Sequence, residues 1–375
     1  KENEKEKEKE KECKETRVNP TKDVFLTDVL GPCLKKAHAY IEKSQVIEEA
    51  ASPLDSYYRH VSRGAWPFST RDHGWPISDC SSEGLKAALA LAQMDGELVG
   101  EPIALDRLQS CVDVILSYQN GDGGMATYEN TRSFHAVEIL NPAETFGDIM
   151  VDYSYVECTS ACLTALSAFR RRDQAYRAAD IALSMRKAER FIRSIQKPDG
   201  SWYGSWAVCF TYGCWFGCTA LGAMGFQVYG AQADPALKKT CAFLVDKQRE
   251  DGGWGESYLS CQNKVYSQLE GDMSHVVNTA WAMLALLAAG YHKVDPEPIR
   301  RGAAFLLSAQ GRADPLDPES YGFRVGKTSA GDWPQQHISG VFNRNCMITY
   351  TNYRNIFPIW ALGLYRRLVL LGGDV

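Results

Sequence analysis

The sequence predicts an all-α protein built as two concentric layers of helices. Three observations carry that prediction. Amphipathic segments recur that end in glutamine and are followed by a glycine-rich turn, often with tryptophan. Their apolar residues fall at helical spacing. Between them lie runs that are apolar nearly all round. A helix with one apolar face lies at a surface, and one apolar on all faces is buried. Alternation of the two kinds therefore places buried helices inside and amphipathic ones outside. One such pair cannot bury its faces alone, so the pairs must stack, and closure into a ring removes the ends.

The elements follow in order along the 375 residues. Residues 1–17, KENEKEKEKEKECKETR, alternate charge with no apolar face, so residues 1–22 are expected to be a solvated tail. Residues 23–375 are expected to form one domain. HAYIEKSQ ends at Gln45, and GAW with Trp66 follows. GLKAALALAQM is the first buried run. VDVILSYQNGDGGM (112–125) is an outer copy with Gln119, and Met125 stands at the tryptophan position. VECTSACLTALSAF is buried. AERFIRSIQKPDGSW (188–202) is the clearest outer copy, with Ala188, Phe191, Ile192 and Ile195 on one face before Gln196 and Trp202. FGCTALGAMGF is buried. CAFLVDKQREDGGW (241–254) repeats the pattern with Gln248 and Trp254. VVNTAWAMLALLAAG is buried. GAAFLLSAQ ends at Gln310, and GDW with Trp333 follows after a long connection. IFPIWALGLYRRLVL is the fifth buried run. Asp234-Pro235 and Asp295-Pro296 supply an N-cap and a first-turn proline before two outer copies. The glutamine amide is expected to satisfy backbone groups orphaned at helix ends, and the indole to cover the turn.

Composition narrows the function. The net charge of −5 and the lack of a basic stripe argue against a nucleic-acid partner. Of the 12 cysteines, Cys158/Cys162 and Cys214/Cys218 sit four apart inside apolar helical runs, where cysteine acts as a small hydrophobe. Free thiols in a reducing compartment are expected. There is no C-x-x-C pair and no histidine at zinc spacing, so neither a metal site nor a cofactor is expected. No stretch reaches the ~18–20 apolar residues of a spanning helix. No signal peptide is visible, and the chain starts with Lys1, which suggests a fragment with targeting information upstream.

The stretch RDHGWPISDCSSEG (71–84) concentrates the chemistry. Taken alone, Asp79 at a helix start reads as an N-cap whose pKa the helix dipole lowers. Glu83, four residues on and on the same face, reads as an exposed helix charge. The scattered aromatics read as core packing.

Together with SDCSSE, GSWYGSWAVCFTYG, GGWGESYLSCQ and VFNRNCMITYTNYRNIFPIWALG, the glutamine–tryptophan repeats resemble the oxidosqualene cyclases, the triterpene synthase family. The match runs from about residue 30 to the C-terminus and covers only the C-terminal part of such an enzyme. The resemblance implies an α6–α6 barrel. The five buried runs fit a six-pair ring that lacks its first inner helix at the N-terminal side. A second, inserted barrel lies upstream in the family. No cofactor is implied.

By the same resemblance Asp79 is the general acid that protonates the epoxide of 2,3-oxidosqualene. Cys80 and Cys158 donate hydrogen bonds to it, and Glu83 relays protons from solvent. An epoxide oxygen is a weak base, so the acid must stay neutral by burial yet have donors ready for its anion. The ring closures that follow are cationic. Aromatic faces hold a cation without reacting with it, and by positional match Phe68, Tyr128, Trp206, Phe342, Tyr350 and Tyr353 are the candidates. His73 and Ile77 match the cycloartenol-forming members, whereas lanosterol-forming ones tend to carry valine at the second position. The tyrosine and histidine tied to the last deprotonation lie upstream in the family.

Two departures stand out. The family motif Asp-Cys-Thr-Ala-Glu is here Asp79-Cys80-Ser81-Ser82-Glu83. Residues 311–330 exceed the family's usual turn and are expected to be a surface insertion. The resemblance also implies a monotopic enzyme of the endoplasmic reticulum or lipid droplet, on the cytosolic face, whose partners are oxidosqualene, a membrane surface and the enzyme's own N-terminal domain. Cycloartenol is the expected product; lanosterol or another triterpene is the alternative.

Three other classes were weighed. A prenyltransferase β-subunit needs an Asp/Cys/His zinc site, which no cysteine–histidine grouping supports. A barrel glycosidase needs carboxylates flanking a bond, and Asp79 and Glu83 on one helix stand too close. An inactive helical-repeat scaffold is the third.

Overall fold

The computed structural model describes residues 28, 30–49, 53–57, 59–73, 75–272, 274–310, 332–336 and 338–373. The charged tail (1–22) and the expected insertion (311–330) lie outside the described residues. In chain order the main helices are α1 (Gly31–Ser44), α2 (Ser78–Leu91), α3 (Leu105–Ser117), α4 (Val156–Arg172), α5 (Ala178–Ser194), α6 (Cys209–Ala223), α7 (Pro235–Asp246), α8 (Val276–Ala288), α9 (Glu297–Ala309) and α10 (Tyr353–Tyr365). Even-numbered helices are the predicted buried runs, and odd-numbered ones are the amphipathic runs.

The inner layer is continuous. Helix α2 packs on α4, α4 on α6, α6 on α8 and α8 on α10, and these are the most extensive helix contacts in the molecule. The outer helices lie against them, α5 on α4 and α9 on α8 among others. Sequence dictates the layering: all of α8 from Val276 to Leu287 is buried, whereas α5 buries only Ile181, Ser184, Met185, Ala188, Phe191 and Ile192. The arc does not close, because among the described residues α10 has no extensive packing against α2. Helix α10 was expected to be buried all round, yet it buries only Phe357, Pro358 and Ala361. Ile359 and Trp360 are 63% and 43% exposed. An inner helix needs a neighbour on each flank, and α10 has one.

The glutamine–tryptophan turns join neighbouring pairs. Gln196 Nε2 donates to the Gly200 carbonyl in its own turn (3.0 Å) and to Ala236 O in the first turn of α7 (3.0 Å). Gln248 does the same to Gly252 O (2.7 Å) and to Pro298 O in α9 (2.8 Å). The orphan carbonyls of the preceding helix are taken by the indoles instead. Trp202, Trp254, Trp333 and Trp66 donate Nε1–H to Ile192, Leu244, Leu306 and Ile41, each in the last turn of an outer helix, at 2.7–2.9 Å. Glutamine thus serves backbone groups at a helix end, but at the start of the next outer helix, which it staples. Gly252, at φ +89°, brings the turn so close that a Cβ would lie 2.8 Å from Arg301 O in α9, which glycine alone permits.

At the helix starts, Asp234 caps α7 as expected, accepting from Ala236 and Leu237 N–H. The second start differs, with Pro296 at the cap position of α9, although Asp295 still accepts from Glu297 N–H at 2.9 Å. The all-α expectation missed one small antiparallel hairpin, β1 (Gly340–Phe342) and β2 (Cys346–Ile348). Its turn places Asn343 and Arg344 at positive φ. Three-residue strands carry too little alternation to be read in a sequence. No described helix is long and apolar enough to cross a membrane.

Candidate active site

The inner helices all bring their N-terminal turns to one end of the arc, where the candidate chemistry collects. Helix α2 is pinned there at its first residue. Ser78 donates its N–H to Thr127 O (2.9 Å) and its hydroxyl to Ala126 O (2.6 Å). Ile77, buried and extended (φ −140°), occupies the cap position. Asp79 is therefore the second helical residue and not the N-cap expected from its position.

Asp79 Oδ1 accepts the N–H of Cys80 at 2.7 Å. Part of the residue faces the opening, but the carboxyl lies deep among protein atoms. That desolvation pushes its pKa up, and the charge of Glu83 adds to the rise. The Cys80 N–H and thiol act the other way, by favouring the anion. Desolvation outweighs the helix dipole, which would have lowered the pKa. Burial thus favours the neutral acid, while two donors stand ready for its anion.

Cys158, in the first turn of α4, is fully buried, and its thiol is pushed well up by burial and by the nearby Asp79 charge. The Ser78 side chain lies near this thiol and favours its thiolate, and Ser78 directly precedes Asp79 in α2. Glu83 is exposed on the next turn of α2 and pairs with Lys86 Nζ at 2.7 Å.

The aromatic candidates divide. Tyr128 meets Trp75 edge to face at 6.4 Å, and the Asp79 charge reaches its hydroxyl. Trp206 packs on Tyr155 at 4.9 Å. Tyr353 stacks on Tyr350 at 4.6 Å and also feels the Asp79 charge. Phe342, on β1, meets Phe146 edge to face at 6.3 Å. Phe68 is 72% exposed. The side chain of His73 lies outside the described residues; its backbone ends a short 3-10 turn, Arg71–His73.

Sequence reasoning missed three residues at this end of the arc. Tyr212 of α6 is buried, packs on Trp281 of α8 at 5.0 Å and is reached by the charges of Asp79 and Glu157. Asp152 and Glu157 flank the start of α4, and burial raises both carboxyls. The signal for Glu157 was present, since VECTSAC, like SDCSSEG, sets an acid and a thiol at the mouth of an apolar run. A separate cavity of about 250 Å³ between Val46–Glu49, Ser62 and Arg71–Asp72 contains none of these groups.

Comparison with known proteins supplies the family. The squalene-hopene cyclase C-terminal domain matches residues 27–367. The chain is 50% identical over 339 residues to a cycloartenol synthase of Dictyostelium discoideum, covering 90% of this chain and 44% of that protein. It is 45% identical over 337 residues to a lanosterol synthase of Mus musculus, covering 90% and 43%. It is 40% identical over 342 residues to an alpha-onocerin synthase of Lycopodium clavatum, covering 90% and 42%. The chain thus spans less than half the length of these curated relatives. Among solved structures it is similar to the apo type II terpene cyclase MstE from Scytonema, with a TM-score of 0.48 at 16% identity over 88% of this chain and 87% of that one.

Proposed function

This chain belongs to the squalene-hopene cyclase C-terminal domain family, and from that premise we propose that it carries the acid and one aromatic wall of an enzyme that cyclises 2,3-oxidosqualene. The observation that carries the reading is Asp79: a carboxyl whose pKa desolvation pushes up, with the Cys80 N–H and thiol already directed at it. An isomerising cyclase needs that acid. The neutral carboxyl gives its proton to the epoxide oxygen. The C–O bond breaks as the neighbouring alkene closes on the carbon. The positive charge moves from ring to ring until a proton is lost at the end, so atoms balance without any co-reactant.

Donors to the new carboxylate are worth most in a dry site, where they need not reorganise. Cys80 supplies two, and we assign Cys158, whose thiol feels the Asp79 charge, as a third when the anion forms. Glu83, exposed one turn away, returns a proton from solvent. Tyr128, Trp206, Tyr350 and Tyr353 offer faces to the moving cation, with Phe342 and Phe68 completing the wall once the rest of the enzyme is present.

Cycloartenol is the proposed product, on Ile77 and His73 and on the similarity to the Dictyostelium enzyme. Membrane attachment of a monotopic kind, at the endoplasmic reticulum or lipid droplet, suits a water-insoluble substrate. Phe134, Ile139 and Leu140, 68%, 88% and 70% exposed, are apolar groups available for it. Release of the full-length enzyme from membranes by salt alone would exclude that attachment.

One experiment tests the core of this reading. The full-length enzyme, and its Asp79→Asn variant, are expressed in a yeast lacking its own cyclase, and the sterol fraction is read by mass spectrometry. Asp79→Asn is expected to lower product by roughly a thousandfold or more, because an amide cannot act as the acid. An unchanged yield would leave a non-catalytic scaffold as the better reading. Lanosterol as the sole wild-type product would remove the argument from Ile77 and His73.

A further inference from the structure

Glu157 has no part in the acid step, yet it lies beside it. It is the second residue of α4, 1% exposed, and its charge and that of Asp79 act on each other. A free carboxylate in such a place is a hazard to a cationic reaction, since it would trap the cation or take its proton early. The structure shows how this one is occupied. Its carboxyl accepts the backbone N–H groups of Ser205 and Trp206. Burial, opposed by those bonds, pushes its pKa up to about 7. Its second oxygen, Oε2, is buried with no hydrogen-bond partner among the described residues.

The two N–H groups belong to the connection between Trp202 and α6. Ser205, Trp206 and Ala207 form a bend outside any regular element. Their neighbours are anchored separately, Gly204 N–H to Cys209 O at 3.0 Å and Val208 N–H to Ser339 O at 3.1 Å. Between those anchors Glu157 fixes the backbone from which the Trp206 side chain leaves. Tyr155, two residues before Glu157 and the cap of α4, packs on the indole at 4.9 Å. One turn of α4 thus fixes both the backbone and the ring of Trp206. Asp152 does the same for Tyr128, accepting Thr127, Tyr128 and Glu129 N–H at 3.0, 2.6 and 3.2 Å.

We propose that Glu157 is a positioning residue for the cyclisation, holding the Ser205–Trp206 backbone so that the indole keeps its face toward the cationic intermediate, and that it acts as a hydrogen-bond acceptor and not as a charge. The inference rests on the cyclase reading. Glu157→Gln keeps an acceptor oxygen in the same place. Glu157→Ala removes it, and Glu157→Asp withdraws it by one methylene.

The test uses the full-length enzyme, with kcat, KM and product ratios measured and crystal structures of the variants determined. Glu157→Gln is expected to stay within about threefold of wild type with the same products. Glu157→Ala is expected to lose about tenfold or more in kcat with little change in KM, because misplacement of a positioned group costs that much. It should also release incompletely cyclised products, with Trp206 displaced. Should Glu157→Ala not fold, Glu157→Asp carries the same expectation. Wild-type product ratios in Glu157→Ala, or Trp206 unmoved in the variant crystals, would overturn the proposal. Failure of Glu157→Gln equal to that of Glu157→Ala would overturn the acceptor role in favour of the charge. If the wild-type enzyme cyclises no oxidosqualene, the cyclase reading falls, while the position of Trp206 in the variant crystals still decides this inference.

Discussion

At the scale of the residue, Asp79 is decided by two opposed effects. The first turn of a helix favours a carboxylate by roughly 0.3–1 kcal/mol when exposed, but removal from water favours the neutral acid by more. The direction in the protein is up. The sign for stability follows. The folded pKa exceeds the unfolded one, so the contribution of Asp79 is fully present below the unfolded pKa and is lost as pH rises through the folded one. Activity, which needs the neutral acid, declines over the same rise. Cys80 gives a sharper expectation, because its thiol favours the anion. Cys80→Ala should raise the pKa of Asp79 further and move the alkaline limb of the pH–rate profile up. It should also slow the reaction by roughly ten- to a hundredfold through loss of one donor. An unmoved limb in the pH–rate profile of the full-length variant would show that the thiol does not reach the acid.

At the scale of the element, the turns are staples between neighbouring outer helices. Their energy lies in satisfying buried backbone groups, not in area alone. Trp254 is fully buried and donates to Leu244 O at 2.7 Å. Trp254→Phe should lower the unfolding free energy by about 2–4 kcal/mol, from the lost donor and the cavity. Product ratios should not move, since the Trp254 indole is buried against Leu244 of the outer helix α7 and is none of the candidate site residues. Thermal melts and product analysis of one preparation distinguish this from the expectation for Glu157. The sequence showed the recurrence of glutamine and tryptophan but not who bonds whom. The partners Ala236 and Pro298 lie 40 and 50 residues away, and sequence separation of that size leaves no local trace.

At the scale of the whole molecule, the arc of inner helices stands open between α10 and α2. On α10, Ile356, Ile359 and Trp360 are 52%, 63% and 43% exposed. An apolar flank of that kind binds something or aggregates. The 375-residue chain expressed alone should therefore turn over no oxidosqualene and should bind a hydrophobic dye. Co-expression with the remainder of its own enzyme should abolish the dye signal. Turnover by the isolated chain would show that its cavity needs no second wall.

The sequence by itself determined the layering, because helical period and continuous apolarity report local burial on each face of each helix. It also singled out the stretch that holds the candidate acid, and the recurrence that spaces the helices. Only the tertiary structure decided that Asp79 is the second helical residue, since the cap passed to Ile77 once Ser78 bonded the 126–127 loop. Only it decided that the pKa of Asp79 moves up, because desolvation is set by what surrounds a group and not by its place in a helix. It alone brought Tyr212, Asp152 and Glu157 to the site, and left Phe68 72% exposed. Those outcomes depend on atoms far away in the chain, and no pattern of neighbours along the sequence records them.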